Sequence, residues 1–282
     1  MSFKRIICIG DWGYDTMDKG IIQKIRQENY DEIFLMGDNF YFNGVEDEND
    51  KQWNDKLKKY FPPHIKKCVV LGNHDYLGNV HCQLLYTFNK SYFSWFLPHF
   101  YYDIMDKQRS CHFFFIDTQL LALEHTMNLS NACNISQDRL QDYLKLYDIF
   151  HEAHKQWLQN SLKHSSAKWK FVIGHYPVLS GGPHEMVTEL SSFLLPLFRK
   201  YKVDFYLSGH DHNTQVLKKN NTLFLVSGGT SFTVAPEKRK ETIFSTDKKG
   251  YIQLNTSLQE VNVEFVQPSR KKNLLIHSLF KK

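Results

Sequence analysis

Five times along the chain a short apolar run stops at a glycine and gives way at once to residues able to ligate a metal. Ile6-Ile7-Cys8-Ile9 ends at Gly10-Asp11-Trp12-Gly13, and Glu32-Ile33-Phe34-Leu35-Met36 ends at Gly37-Asp38-Asn39-Phe40-Tyr41. Cys68-Val69-Val70-Leu71 ends at Gly72-Asn73-His74-Asp75, and Lys170-Phe171-Val172-Ile173 at Gly174-His175-Tyr176-Pro177. The last run, Val203-Asp204-Phe205-Tyr206-Leu207, ends at Ser208-Gly209-His210-Asp211-His212-Asn213. Each run reads as a buried strand, and glycine lets the backbone turn sharply and approach the site closely. Open α/β sheets place their ligands beyond the carboxyl ends of strands. One such unit is a common turn. Five of them, offering Asp, Asp and Tyr, Asn and His, His, and a His pair, are hard to reconcile with chance, and a domain of this size suits a many-stranded α/β or β-sandwich fold.

Between these runs the pattern turns helical. Ile21, Ile22 and Ile25 line one face after Asp18, and Trp53, Leu57 and Tyr60 do the same before Pro62-Pro63. A longer helix is expected over Leu140–Leu162. Another spans Leu190–Tyr201, with a kink or restart at Pro196. Tyr101-Tyr102 and His112–Ile116 read as strands of a second, more antiparallel sheet. Thr222–Val226, Tyr251–Leu254 and Val261–Val266 also read as strands. Glu124–Asp138 is polar and Asn-rich and reads as a surface loop. The basic end, Ser269–Lys272 and Lys281-Lys282, reads as a closing strand and a frayed tail. With 282 residues, 42% of them hydrophobic, and no repeat or linker, one domain over 1–282 is expected, with its core at about 5–267 and a basic tail at 268–282.

A net charge of +5 fits a lysine-rich solvated surface and not a nucleic-acid-binding face. No run reaches transmembrane length, so no membrane partner is expected. Met1-Ser2-Phe3-Lys4-Arg5 leads straight into the first strand, too short for a signal segment. As written the chain reads as cytoplasmic; a trimmed N-terminus would allow a secreted, vacuolar or lysosomal form. Five cysteines without a CxxC read as reduced thiols, and Cys8 and Cys68 as small core residues. Asn-x-Ser triplets such as Asn89-Lys90-Ser91 carry no weight without secretion.

Taken singly, the site residues have ordinary readings: Asp11 as a turn or helix cap, Tyr41 as core, Asn73 as a turn residue, His175 as a loop histidine. A lone H-x-H such as His210 and His212 is a weak signal too. Two histidines at that spacing cannot share one face of a strand, but they can serve two adjacent ions, and neutral imidazole is the commonest metal ligand. Together the residues reverse those readings. GDWG, GDNFY, GNHD, GHYP and GHDHN, in this order, resemble the purple acid phosphatases, specifically the short animal-type tartrate-resistant form of the calcineurin-like metallophosphoesterases. The resemblance covers roughly Ile6 to Phe232, and the tyrosine of GDNFY separates these enzymes from relatives that lack it.

The resemblance implies a four-layer α/β/β/α sandwich of two mixed sheets flanked by helices. It implies an acid phosphatase, a monomer, that hydrolyses phosphomonoesters with a hydroxide bound to a dinuclear ferric–divalent centre. The ferric site would take Asp11, Tyr41 and His212. The divalent site (Fe2+, Zn2+ or Mn2+) would take Asn73, His175 and His210, and Asp38 would bridge the two. A ferric ion favours anionic oxygen while a divalent ion accepts more nitrogen, and the residual positive charge suits a phosphate dianion. His74, beside Asn73, would hold the phosphate or protonate the leaving group. Asp75 is expected to orient His74, with Asn39 and Asn213 behind the ligands.

Two departures matter. The family carries a His-Gly-Pro segment after GHYP; this chain has Leu179-Ser180-Gly181-Gly182-Pro183-His184, read with glycine at the histidine's place and His184 as its replacement. The stretch 124–138 stands where the family has a protease-sensitive loop, but its sequence differs, so regulation by cleavage does not carry over. Nucleotides, phosphoproteins and small aryl phosphates are all admissible substrates, with Phe40, Phe42 and Tyr76 as the aromatic residues near the site. The rival readings are a two-divalent-metal phosphoesterase, which needs no Tyr41, and a non-catalytic metal- or phosphate-binding protein, which needs no intact ligand set.

Overall fold

The computed structural model describes residues 3–14, 16–88, 94–184 and 186–281. Met1-Ser2, the triplet at Asn89 and the final Lys282 lie outside the described residues. In chain order the strands are β1 (Lys4–Ile9), β2 (Glu32–Met36), β3 (Lys66–Val70), β4 (Trp95–Phe96), β5 (Tyr102–Asp106), β6 (Cys111–Phe115), β7 (Trp169–Ile173), β8 (Phe205–Ser208), β9 (Thr214–Lys219), β10 (Thr222–Ser227), β11 (Thr242–Thr246), β12 (Tyr251–Thr256), β13 (Glu260–Val266) and β14 (Leu274–Phe280). The α-helices are α1 (Lys19–Gln27), α2 (Val80–Tyr86), α3 (Leu123–Ala132), α4 (Gln137–His164) and α5 (Thr188–Tyr201).

The strands form two sheets, ordered β14-β13-β12-β1-β2-β3-β4 and β11-β9-β10-β8-β7-β6-β5. Each is mixed in the same way. β1 to β4 run parallel in the first, and β10, β8, β7 and β6 run parallel in the second; antiparallel strands complete both. The second sheet is therefore no more antiparallel than the first. Only the β5–β6 pair has that sense at its near edge, and β6 then joins β7 in parallel.

Every residue of β6 and β8 is buried, as parallel strands covered on both faces require. Alternate residues point into two cores. Phe113, Phe115, Phe171, Phe205 and Leu207 face the first sheet, while Phe114, Val172, Tyr206 and Phe224 face Leu158, Leu162, Leu190 and Leu194 of α4 and α5. Ile21 and Ile25 of α1 join the first core. Two mixed sheets flanked by helices are the architecture the motifs implied. Among the described residues no helix is long and apolar enough to cross a membrane.

One segment differs from the expectations above, and three others agree in kind but differ in detail. The stretch 124–138 is not a loop: α3 fills most of it, and Ser136 caps the start of α4 by accepting from the Arg139 N–H. The cause lies elsewhere in the chain, because the Glu189 carboxylate on α5 accepts from the Glu124 and His125 N–H groups and satisfies the start of α3. α5 runs through Pro196 as one helix, since Leu190, Leu194, Leu197 and Phe198 bury its apolar face. The turn over Trp53–Lys58 is a π-helix, with Trp53 and Leu57 both buried. At the chain's end β14 pairs along β13 from Phe280 to Leu274, and the Lys281 N–H extends the pairing to the Gln259 carbonyl.

Phe34 of β2 shows how the sheets are keyed together. It is fully buried and meets Phe113 and Phe115 of β6 edge-on, with ring centroids 5.2 and 5.1 Å away. Phe34→Ala removes a large side chain from the middle of the inter-sheet core. It is expected to lower the unfolding free energy by about 3–5 kcal/mol, measured by urea denaturation, with Phe34→Leu costing clearly less.

Candidate metal centre

The carboxyl ends of β1, β2, β3, β7 and β8 meet at one edge of the sandwich, and backbone bonds tie them there. The Asp11 N–H donates to the Gly37 carbonyl, Gly174 N–H to Leu207, and Gly209 N–H to His175. Three of the residues that follow the glycines have left-handed backbones: Asp11 at φ 55°, Asp38 at φ 50° and His210 at φ 67°. Non-glycine residues seldom adopt this region, and each instance costs on the order of 1–3 kcal/mol. Here the turn swings each side chain back over the strand end. Gly37 is needed for its own reason: its φ is 84°, and a Cβ there would stand 2.4 Å from His175 Nδ1.

The seven residues singled out in the sequence come together in two sets. In one, Tyr41 Oη lies 3.1 Å from Asp11 Oδ1 and 3.3 Å from His212 Nε2, and His212 Nε2 lies 3.4 Å from Asp11 Oδ1. In the other, His175 Nε2 lies 3.2 Å from Asn73 Oδ1, and His210 stands with His175 and Asp38 in a cluster whose ligand atoms are all within 4.8 Å of one another. Asp38 belongs to both. Its Oδ2 accepts from Tyr41 Oη at 2.7 Å, and its Oδ1 lies 3.3 Å from His175 Nε2. Backbone donors fix the carboxylates, with His74 N–H on Asp38 Oδ1 at 2.9 Å and His210 N–H on Asp11 Oδ2 at 2.8 Å. His175 Nδ1 donates to the Met36 carbonyl at 2.8 Å, which leaves Nε2 facing Asp38 and Asn73.

The electrostatics ask for a cation. Burial favours the neutral form of Asp38, but the charges of His175 and His74 outweigh it and hold this carboxyl below the usual range. Burial likewise disfavours charged His175, yet Asp38 pushes its pKa up to about 9. Burial, then the charges of Asp38 and Asp11, push the Tyr41 phenol well above its ordinary value. His210 is neutral, its pKa pulled well down by burial, and its Nε2 is buried without a hydrogen-bond partner. An orphaned imidazole nitrogen near the buried Asp38 carboxylate, with a phenol between Asp38 and Asp11, is a donor set suited to a metal ion.

Above these groups opens a pocket of about 320 Å³, whose floor holds Asp38, Asn73, His74 and His210. His74 donates from Nδ1 to the Phe42 carbonyl at 2.7 Å, and its ring lies 4.2 Å from that of Tyr41. His184 lines the pocket with its ring 4.2 Å from that of His210. Asp75 does not orient His74. Its side chain turns inward to close the turn, accepting from the Gly72 N–H, Asn39 Nδ2 and Gln83 Nε2. Among the described residues, the Asn39 side chain hydrogen-bonds to Trp12, Val70 and Asp75, and that of Asn213 to Gln215 and Val234. Phe40 and Tyr76 are core residues, and Phe42 alone of the three aromatics is exposed at the rim. The sequence reading missed Tyr14, Leu129, Cys133, Phe232 and Val234, which complete the wall. Tyr14 directly follows GDWG and was within reach; the others carry no local signal.

Residues 4–214 match the calcineurin-like phosphoesterase family, and the chain belongs to it. That span contains all seven residues of the two sets. Human tartrate-resistant acid phosphatase type 5 is 30% identical over 305 residues, covering 98% of this chain and 89% of the human protein. Purple acid phosphatase 7 of Arabidopsis thaliana is 30% identical over 265 residues, covering 88% of this chain and 78% of the plant protein. Within the family the chain therefore sits with the purple, tartrate-resistant acid phosphatases. Among solved structures, Plasmodium GAP50, described as the anchor in the inner membrane complex, superposes with a TM-score of 0.80 at 26% identity over 100% of this chain and 90% of that one. The yellow lupin purple acid phosphatase PPD1 shares the fold, with a TM-score of 0.68 at 17% identity over 99% of this chain and 54% of that one.

Two outcomes are expected. Asp38→Ala removes the group common to both sets and should empty both, read as metal content by mass spectrometry. In the metal-free protein His175 carries a proton below its pKa of about 9. Loading metal at pH 7 must expel that proton from Nε2. Calorimetry in buffers of different ionisation enthalpy should therefore show proton release, with metal affinity weakening as the pH falls.

Proposed function

We propose that the chain hydrolyses phosphomonoesters in this pocket with a ferric–divalent metal pair. Asp11, Tyr41 and His212 would hold the ferric ion, Asn73, His175 and His210 the divalent ion (Fe2+, Zn2+ or Mn2+), and Asp38 both. The observation that carries this reading is the divided Asp38 carboxylate, one oxygen on Tyr41 Oη and the other beside His175 Nε2. When bound, such a pair supplies Lewis acidity toward the phosphate and a nucleophile drawn from water at low pH.

The chain's own groups do the rest. Asn73 and His74, side by side on the floor, would meet the phosphate oxygens. The Phe42 carbonyl holds the Nδ1 proton of His74, so the Nε2 proton is the one available to a leaving alkoxide. His184 also lines the pocket, its ring 4.2 Å from that of His210, and would contribute a second imidazole to the phosphate. The apolar wall keeps bulk water from the floor, which strengthens every charge interaction there. Among the described residues lining the pocket there is no lysine or arginine, so attraction for a dianion must come from the metal pair.

A visible spectrum decides between this reading and a two-divalent-metal phosphoesterase. The purified parent should show a purple or pink band, and Tyr41→Phe should lose it. A colourless parent that is metal-loaded and active refutes a ferric ion on Tyr41. Separately, His74→Ala should keep its metals and lose about 10²–10⁴-fold in turnover. Turnover equal to the parent's would remove His74 from the chemistry.

A further inference from the structure

His184 owes its place in the pocket to a residue that no ligand pattern marks. Asp211 lies between His210 and His212, but its side chain turns away from both and is fully buried. Its Oδ1 accepts from His184 twice, from Nδ1 at 2.9 Å and from the backbone N–H at 3.3 Å. Its Oδ2 accepts from Ser180 Oγ. Ser180 Oγ in turn accepts from the Gly182 N–H at 2.9 Å and Gln215 Nε2 at 2.8 Å, and Gln215 Oε1 accepts from the Gly181 N–H at 2.8 Å. The whole arm from Ser180 to His184 is thus bonded back to the strand-end segment that carries two ligands.

We infer that Asp211 is the positioning residue that sets His184 in the pocket. The inference rests on the phosphomonoesterase reading above. A carboxylate that accepts both the ring and the backbone N–H of one histidine fixes its tautomer and its plane. With Nδ1–H held by Asp211, Nε2 is the nitrogen left for the substrate. A side chain 40% exposed gains a fixed orientation from a partner that is itself immobile. Because Asp211 shares its loop with His210 and His212, His184 is registered against the ligand side chains and not against the mobile solvent face.

The test uses the full chain loaded with zinc, which is diamagnetic. The parent should show a downfield proton resonance for His184 Nδ1–H that His184→Ala removes. In Asp211→Asn a neutral acceptor replaces the carboxylate, so the resonance should move upfield. kcat/KM for a phosphomonoester should fall roughly 10- to 100-fold with metal content unchanged. On the His184→Ala background Asp211→Asn should add nothing, because both changes act on one group. Ser180→Ala, which leaves Asp211 in place, should give a smaller loss that also vanishes on that background. An unmoved resonance, losses that multiply, or loss of metal from Asp211→Asn would each overturn the inference. A parent that turns over no phosphomonoester refutes the activity, and the resonance alone then decides the positioning.

Discussion

The carboxylate of Asp38 is the constraint on which the rest depends. It is buried, negatively charged and stationed between two groups of donors. Burying such a charge alone costs several kcal/mol. It is tolerated because Tyr41 Oη, His175 Nε2 and the His74 N–H all face it. In the metal-free protein the same carboxylate keeps His175 protonated and Tyr41 neutral. A cation entering the site would replace those two protons, which couples metal binding to proton release.

The surrounding fold serves to hold that arrangement at a sheet edge. Parallel strands deliver their C-terminal ends to one side, and glycine before each ligand lets the next residue reverse direction. The left-handed backbones of Asp11, Asp38 and His210 are local strain that the inter-strand bonds sustain. The aromatic core between the sheets, Phe34 against Phe113 and Phe115, fixes the distance between the two halves of the site. Packing and chemistry are thus coupled through rigid strands and not through flexible loops.

The seven proposed ligands were legible because each sits within five residues of a strand's end, and strand plus glycine is a local pattern. Their division into two sets was not, since it depends on which strands lie side by side; it came from resemblance, and the contacts of Asp38 and Tyr41 now support it. Other features failed for stated reasons. α3 was hidden because its start is satisfied by Glu189, about sixty residues later, and its own sequence is polar. Asp75 looked like a partner for His74 by adjacency, but its carboxylate is taken up by the Gly72 N–H, Asn39 and Gln83. Asp211 was passed over because a residue between two ligands is ordinarily a spacer. Phe232 joins the rim only through tertiary packing on Tyr14 and His212.

The contact between the His210 N–H and Asp11 joins residues 199 positions apart. Four of the seven proposed ligands lie on the first sheet's strand ends and three on the second's, so neither sheet holds a working set. During synthesis Asp11 and Asp38 emerge early, and Asp11 waits for its backbone donor until His210 and its neighbours have left the ribosome. The site is therefore among the last features of the chain to be completed. A chain interrupted before that point has Tyr41 and the His74 N–H on Asp38 but lacks the His210 N–H on Asp11, so the first sheet's half of the site stands without its counterpart.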